Sequence, residues 1–173
     1  MTAYDAFKSG ALVFVAAVVQ VSILSQLVVL GGTPDLLLVT LLAVAMMRGA
    51  LFGAGAGFFA GLIVDTAYLQ TLGLTSLLLT LAGYWTGRYG ETTGRDRVHA
   101  PLLSVAVITI LYTASSFALR FILGESSSGR VVFVESLPPS MLLNVLIASV
   151  VFAICRRALP SEPTGTPEVR LIG

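Results

Sequence analysis

Two acids, Asp35 and Asp65, are the side chains best placed for chemistry, because they lie at the edges of long apolar runs. An acid at membrane depth is costly and is a candidate functional residue by default. Asn144 is a third polar residue within an apolar run, where an interhelical hydrogen bond is worth about 0.6–2 kcal/mol. Two roles stay open for Asp65: a structural hydrogen bond near the headgroups, or a site. Asp65, Asn144 and Gln26 are candidates for one shared polar cluster.

The sequence carries little else that supports catalysis. His99 and Cys155 are the single histidine and the single cysteine, so they supply neither a zinc ligand set nor a buried nucleophile dyad. Phosphate-binding and dinucleotide-binding glycine loops are missing. Asp35 and Asp65 are formally the aspartate pair of an intramembrane protease, but both lie near the outer ends of their runs. We therefore expect no catalytic residue, no metal and no cofactor, and a protein that is not an enzyme.

The composition predicts a membrane protein. Of 173 residues, 56% are hydrophobic and only 11% are charged, against about 25% charged in a soluble domain. The mean hydropathy is +0.94. The net charge of +1 gives no basic field that would attract nucleic acid. The first apolar run, from Ala11 to Leu30, is too long for the core of a secretory signal peptide, so we expect it to be retained as a span.

The apolar runs, and the polar, glycine and proline residues that separate them, predict an all-α bundle of six transmembrane helices within residues 1–159. Thr33-Pro34-Asp35 is typical of a helix start, with a cap, a proline and an acid in the first positions. The second and fourth spans are short, since the second reaches only about 20 Å across a core of about 30 Å. Residues 124–136 form a polar outer loop with an apolar patch, and residues 160–173 form a disordered cytoplasmic tail. The predicted spans are residues 10–30, 34–47, 50–68, 72–87, 100–123 and 138–154.

The basic residues predict the orientation. With a cytoplasmic N-terminus, only Arg120 and Arg130 fall outside, whereas eight basic residues fall inside. An even number of spans then places both termini in the cytoplasm, so the span count and the charges agree. The eight are Lys8, Arg48, Arg88, Arg95, Arg97, Arg156, Arg157 and Arg170.

A file of small residues runs along the third span. Glycines recur every four residues from Gly49 to Gly61, and Asp65 stands at the next step. Small residues at this spacing let two helix backbones approach closely. The partner is either a helix of the same chain or a helix of a second protein. If this face receives a second protein, Gly57→Leu or Gly61→Leu should weaken that complex while membrane insertion survives.

The segment from Pro34 to Gly83 resembles the rod shape-determining MreD family. The carrying residues are Pro34-Asp35-Leu36-Leu37-Leu38-Val39, Arg48-Gly49, Gly57-Phe58-x-x-Gly61-Leu62-x-x-Asp65 and Leu72-Gly73-Leu74. Leu137-Pro138 with Asn144 resembles the start of the family's last helix. The other spans match only in hydrophobicity, and the loop from Tyr89 to His99 aligns with no family feature. We therefore predict ten residues that belong to the family motif or contact a partner: Pro34, Asp35, Arg48, Gly49, Gly53, Gly57, Gly61, Asp65, Gly73 and Asn144.

The resemblance implies a scaffold in the bacterial inner membrane. MreD-like proteins associate with the single-span protein MreC. Through MreC they reach the MreB filament, the RodA glycosyltransferase and a class B penicillin-binding protein. Together these proteins carry out lateral peptidoglycan synthesis and maintain the rod shape of the cell. Their fold is similar to that of the S-components of energy-coupling-factor transporters, which are six-helix membrane proteins.

That similarity supplies the alternative, an S-component that binds a vitamin near the outer face. Outer polar residues such as Asp35, Asp65 and Asn144 suit such a pocket. The spans contain few polar residues that could recognise a vitamin, however, and the first span lacks a clear Ala-x-x-x-Ala docking pair. A generic small transporter is a third alternative, against which the lack of two similar halves argues. Vitamin binding by the purified chain separates these functions from a scaffold that binds an MreC-like protein.

Overall fold

The chain forms a helical bundle, seen in a computed structural model that describes residues 3–29, 31–69, 71–93, 100–124 and 128–159. The one extended feature in these ranges is an isolated bridge between Val29 and Gly32. A 3₁₀ turn, Leu24–Gln26, follows the first helix, and a π-helical segment, Val131–Ser136, leads into the last. The helices are α1 (Ala3–Ser22), α2 (Leu36–Arg48), α3 (Ala50–Ala67), α4 (Leu74–Thr93), α5 (Ala100–Ile122) and α6 (Leu137–Ala158).

The all-α membrane fold predicted from the apolar runs is confirmed. Four helical segments are long and apolar enough to cross a membrane, namely Ala3–Gln26, Ala50–Ala67, Pro101–Ile122 and Val131–Ala158. The cytoplasmic placement of both termini stays a prediction. The predicted tail, residues 160–173, and the loop at residues 94–99 lie outside the described residues.

Helix α2 is the centre of the bundle. It has only 13 residues, as the short second span predicted, and it contacts each of the other five α-helices. Every residue from Leu37 to Met46 is buried, since a helix that is apolar on all sides must be covered on all sides. Its ends therefore lie inside protein, where their backbone groups need partners other than water.

The glycine face of α3 packs directly on α4. A Cβ added at Gly53 would lie 2.5 Å from the carbonyl oxygen of Gly83. Cβ atoms at Gly57 and Gly61 would overlap the backbone of Leu79 and of Ser76. Of the two partners left open for this face, the structure places a helix of the same chain there.

Several element boundaries differ from the predicted spans: α1 already begins at Ala3 and not at residue 10, and α6 continues to Ala158, beyond residue 154. Helix α4 continues to Thr93, beyond the predicted end at Gly87, because Glu91 reaches back to the start of α3 and extends the contact between the two helices. Helix α1 ends at Ser22, before the predicted end of the first span at residue 30. The outer loop is partly helical, since Val131–Ser136 continues into α6.

Candidate functional site

The N-terminus of α2 is fixed by side chains from three other helices. Asp35 caps α2, because its Oδ1 accepts a hydrogen bond of 2.8 Å from the Leu38 N–H. The Asp35 N–H donates to Asn144 Oδ1 on α6 at 2.8 Å, and Asn144 Nδ2 donates to Thr109 Oγ1 on α5 at 3.3 Å. Asn144 is only 1% exposed. This amide therefore joins α2, α5 and α6 within the apolar core.

Gln20 completes the same cluster from α1. Its Nε2 donates to the Pro34 carbonyl at 3.1 Å, and its Oε1 accepts from the Leu36 N–H at 2.8 Å. The expected member from the first span was Gln26, which instead is exposed, in the turn after α1. Gln20 was not singled out as a site residue. The signal for it was its position in the middle of an apolar run, where a carboxamide needs partners.

Asp65 forms a separate set of hydrogen bonds and caps α4 from the end of α3. Its carboxylate is 0% exposed and accepts from the N–H groups of Gly73, Thr75 and Ser76 at 2.8, 3.2 and 3.3 Å. Gly73 has φ +94°, a value that favours glycine, so the turn brings its N–H toward the carboxylate. Of the two roles left open for Asp65, these contacts match the structural hydrogen bond.

The opposite end of α2 has its own polar contacts. Arg48 donates from Nε to Ser9 Oγ on α1 at 2.9 Å, and its Nη2 lies 3.8 Å from Asp5 Oδ1. Gly49 has φ +96° and connects α2 to α3 without a loop. The Ala50 N–H then donates to Glu91 Oε1 of α4 at 2.8 Å. Every one of these contacts lies within the chain.

A small polar cavity lies beside the Asp35 cluster. Its volume is about 170 Å³. It lies at the outer end, meaning the end with Asp35 and Asp65 that the basic residues predict to face away from the cytoplasm. The cavity brings together carboxylate, carboxamide, hydroxyl and guanidinium groups from all five of helices α1 to α5 or their ends. The polar residues that line it are Gln20, Asp35, Tyr68, Thr75, Tyr112 and Arg120.

A larger apolar groove lies between α1 and α3. Its volume is about 450 Å³. Gly10 and Gly55 line it, and a Cβ added at either would meet no neighbouring atom within 4 Å. The large side chains of Phe14, Leu51 and Phe59 stand at its edges and are exposed. This second small-residue face of α3 is thus open, unlike the face that carries Gly53.

The described residues contain no cluster of three or more His, Cys, Asp or Glu side chains that could hold a metal ion. Among the cavities formed by the described residues, the polar cavity and the apolar groove between α1 and α3 are two that can receive another molecule.

Comparison with known proteins identifies a family. The family model for the rod shape-determining protein MreD matches residues 4–159. The cell shape-determining protein MreD of Streptococcus pneumoniae is 31% identical over 90 residues, which cover 51% of this chain and 54% of that protein. The match thus spans about half the length of that relative. No solved structure matches the chain.

Proposed function

The chain belongs to the MreD family of rod shape-determining proteins, and we propose that it acts as the membrane scaffold of the cell-elongation machinery. In this function it binds the transmembrane helix of an MreC-like single-span protein. Through that partner it connects to an MreB filament, a RodA glycosyltransferase and a class B penicillin-binding protein, which carry out lateral peptidoglycan synthesis. Catalysis then belongs to the partners, and this chain performs none.

The open glycine face supports a docking site in the α1–α3 groove. The face of α3 with Gly53, Gly57 and Gly61 is covered by α4, so a partner helix must bind elsewhere. Gly10 and Gly55 leave their surroundings empty, and the groove around them is apolar, as suits a helix within the hydrocarbon core. Small residues flanked by large ones form a depression that a helix can enter closely. The unoccupied surface at Gly55 is the observation that carries this proposal.

Gly55→Leu tests the groove. The added side chain fills the depression, and overpacking of about 1–3 kcal/mol corresponds to binding weakened by about 5- to 150-fold. The measurement is co-purification of the tagged chain with a co-expressed MreC-like protein in mild detergent. Gly55→Ala adds only one methyl group to open space and should retain the partner.

Ala153→Leu is the matched control, since Ala153 is exposed on α6, away from the groove. It places the same leucine side chain on an exposed surface outside the groove, and it should bind the partner normally. Partner recovery with Gly55→Leu equal to that with Ala153→Leu, both variants being inserted and monodisperse, places the docking site elsewhere. Failure of the wild-type chain to retain any MreC-like protein would count against the scaffold function itself.

The alternative of a vitamin-binding S-component has one structural feature in its favour, the polar cavity at the outer end. Its volume of about 170 Å³ is below the roughly 300–1,000 Å³ typical of pockets for drug-sized ligands. Two of the polar side chains that line it, Asp35 and Gln20, already accept hydrogen bonds from the N-terminus of α2. Submicromolar binding of a vitamin to the purified chain would favour this alternative over the scaffold.

A further inference from the structure

Helices α4 and α5 form a groove on the surface of the bundle. Two cavities of about 240 and 200 Å³ lie along it. Trp85 and Ile108 line both, so the two cavities are parts of one continuous α4–α5 groove. Leu103 lines the first cavity and Leu111 the second, and both side chains are exposed. The groove is therefore mainly apolar and open to the surroundings of the bundle.

One hydroxyl group in this apolar lining has no hydrogen-bond partner among the described residues. It is Oγ1 of Thr86, a residue that lines the first cavity and is only 1% exposed. The hydroxyl groups of Thr80 and Thr92 on the same helix, in contrast, donate to backbone carbonyls. A buried hydroxyl without a partner costs free energy. A molecule in the groove that offers an acceptor to Thr86 would remove that cost.

Thr86 lies at the depth where the hydrocarbon core meets the headgroups. A Cβ added at the next residue, Gly87, would lie 2.6 Å from the Ala50 Cα, so this part of α4 is level with the connection between α2 and α3. That connection is at the end of the bundle that the basic residues predict to face the cytoplasm. Trp85 and Tyr89 are exposed on either side of Thr86, and both residue types are enriched at this depth of a membrane.

The groove has the length of one acyl chain in the cytoplasmic leaflet. Helix α5 begins at Ala100, on the predicted cytoplasmic side, and its lining residues run from Leu103 to Ser115. Twelve residues of helix span about 18 Å, and half of a hydrocarbon core is about 15 Å. The groove therefore reaches from near the cytoplasmic boundary of the core to just beyond its middle.

The side chains of the α4–α5 groove favour a hydrocarbon chain over a partner helix. A helix with its side chains is about 10–12 Å wide, and it approaches another helix closely where that helix carries small residues. The α1–α3 groove offers small residues at Gly10 and Gly55. The α4–α5 groove instead has the large side chains of Trp85, Leu103 and Leu111 along it. A single acyl chain is narrow and flexible enough to lie between them.

From this geometry we propose that the α4–α5 groove binds one acyl chain of a glycerophospholipid of the cytoplasmic leaflet, and that the ester carbonyl of this chain accepts a hydrogen bond from Thr86 Oγ1. The ester carbonyls join the acyl chains to the headgroup region, so they lie at the depth of Thr86. The chain then runs along Trp85 and Ile108 toward the middle of the bilayer. Recognition depends on the ester and the chain, and not on the charge of the headgroup.

Trp85 makes the proposal measurable, because it is the single tryptophan of the chain and lines both cavities. The purified full chain is reconstituted in vesicles of ester-linked phosphatidylcholine. A minor fraction of the lipid is phosphatidylcholine brominated on its chains, which are either ester-linked or ether-linked. Bromine quenches tryptophan fluorescence on contact. The ether lipid has the same headgroup and chains but lacks the carbonyl groups.

The wild-type chain should prefer the ester lipid. The net contribution of one hydrogen bond corresponds to about 2- to 13-fold in binding. The ester lipid should therefore occupy the groove more often than the ether lipid by about that factor, and it should quench Trp85 more strongly at equal fractions. Contact with lipids outside the groove adds the same quenching for both lipids.

Thr86→Val removes the hydroxyl group, keeps the shape of the side chain and should abolish the preference for the ester lipid. Thr86→Ser keeps a hydroxyl group and should retain the preference. Thr80→Val is the matched control, since it removes a hydroxyl group from the same helix that donates to the Ser76 carbonyl and lies outside both cavities. It should retain the preference as well.

Val107→Phe tests the groove itself. Val107 lines the first cavity and is exposed, so the larger ring fills the space of the acyl chain. Both brominated lipids should then quench Trp85 equally, and the ester lipid should quench it less than in the wild type. Val150→Phe adds the same ring at an exposed position of α6 outside both cavities and should behave as the wild type. Circular dichroism of each variant confirms that it is folded.

Three results would overturn the proposal. They are equal quenching of the wild-type chain by the ester and ether lipids, a preference for the ester lipid that survives in Thr86→Val, and protection of Trp85 from both lipids when an MreC-like protein is reconstituted together with the chain. The last result would assign the groove to a partner helix and not to a lipid. The first two measurements contain no MreC-like protein, so their failure leaves the proposed scaffold function untouched.

Discussion

Alanine at Gly53 and at Gly55 should have opposite consequences, although the two positions lie on one helix two residues apart. At Gly53 the added Cβ would stand 2.5 Å from the Gly83 carbonyl oxygen and 2.6 Å from the Ala45 Cβ. Real Cβ contacts essentially never fall below 3.0 Å. Both α4 and the central helix α2 would therefore have to move by about 0.5 Å. At Gly55 the same methyl group meets no neighbouring atom within 4 Å.

A comparison of Gly53→Ala with Gly55→Ala isolates the energetic cost of overpacking. Replacement of glycine by alanine inside a helix gains up to about 1 kcal/mol of helix propensity at either position, so this gain cancels in the comparison. Overpacking at Gly53 costs about 1–3 kcal/mol, because backbone atoms of α4 cannot rotate away as a side chain can. Gly53→Ala should therefore be about 1–3 kcal/mol less stable than Gly55→Ala.

Thermal unfolding in one detergent, followed by circular dichroism, provides the test. At about 2–4 °C per kcal/mol for a chain of this size, Gly53→Ala should melt about 2–12 °C below Gly55→Ala. Gly55→Ala should melt at or slightly above the wild type. If the two variants melt within about 1 °C of each other, the close contact between α3 and α4 does not hold and the reasoning fails.

Three further substitutions probe the polar contacts, each with unfolding as the readout. Asp65→Ala removes the acceptor for the N–H groups of Gly73 and of two residues in the first turn of α4, and should cost about 0.5–2 kcal/mol; stability equal to wild type would argue against the cap. Asn144→Leu leaves the Asp35 N–H without its partner and should lower the free energy of unfolding by about 1–3 kcal/mol. An unchanged free energy would mean that the hydrogen bond between α2 and α6 does not contribute to stability. Gly49→Ala forces a side chain to φ +96° with its Cβ 2.6 Å from the Glu91 carboxylate and should cost about 1–3 kcal/mol; an unshifted melting temperature would contradict this conformation.

The predictable part of the fold is the part in which local sequence and burial agree. The start of α2 followed from Thr33-Pro34-Asp35, since a cap, a proline and an acid act within a few residues of each other. The short length of α2 followed from the apolar run between Asp35 and Arg48. The close packing of α3 followed from its glycine spacing, although spacing alone left the identity of the partner helix open.

The missed parts depend on contacts that are distant in sequence. Gln20 and Gln26 look equivalent in the first span, and only the end of α1 at Ser22 separates them, because the chain turns before Gln26. The extension of α4 past Gly87 follows from the hydrogen bond between Glu91 and the start of α3. The sequence left a structural hydrogen bond and a site open for Asp65, because the N–H groups that its carboxylate accepts from lie 8 to 11 residues further along the chain. No local pattern encodes these pairings.

The short central helix explains why the most recognisable residues of the chain have contacts inside the chain. A buried helix with 13 residues ends within protein, so both of its termini need polar partners in the place of water. Asp35 and Asn144, together with Gln20, accept hydrogen bonds from backbone N–H groups at one end, and Arg48 with Gly49 forms the other. Residues that are required for hydrogen bonding at these buried helix ends therefore indicate how the bundle folds. The surfaces left open for another molecule carry ordinary small or apolar residues such as Gly55, and these stand out only when the structure shows that nothing of the same chain covers them.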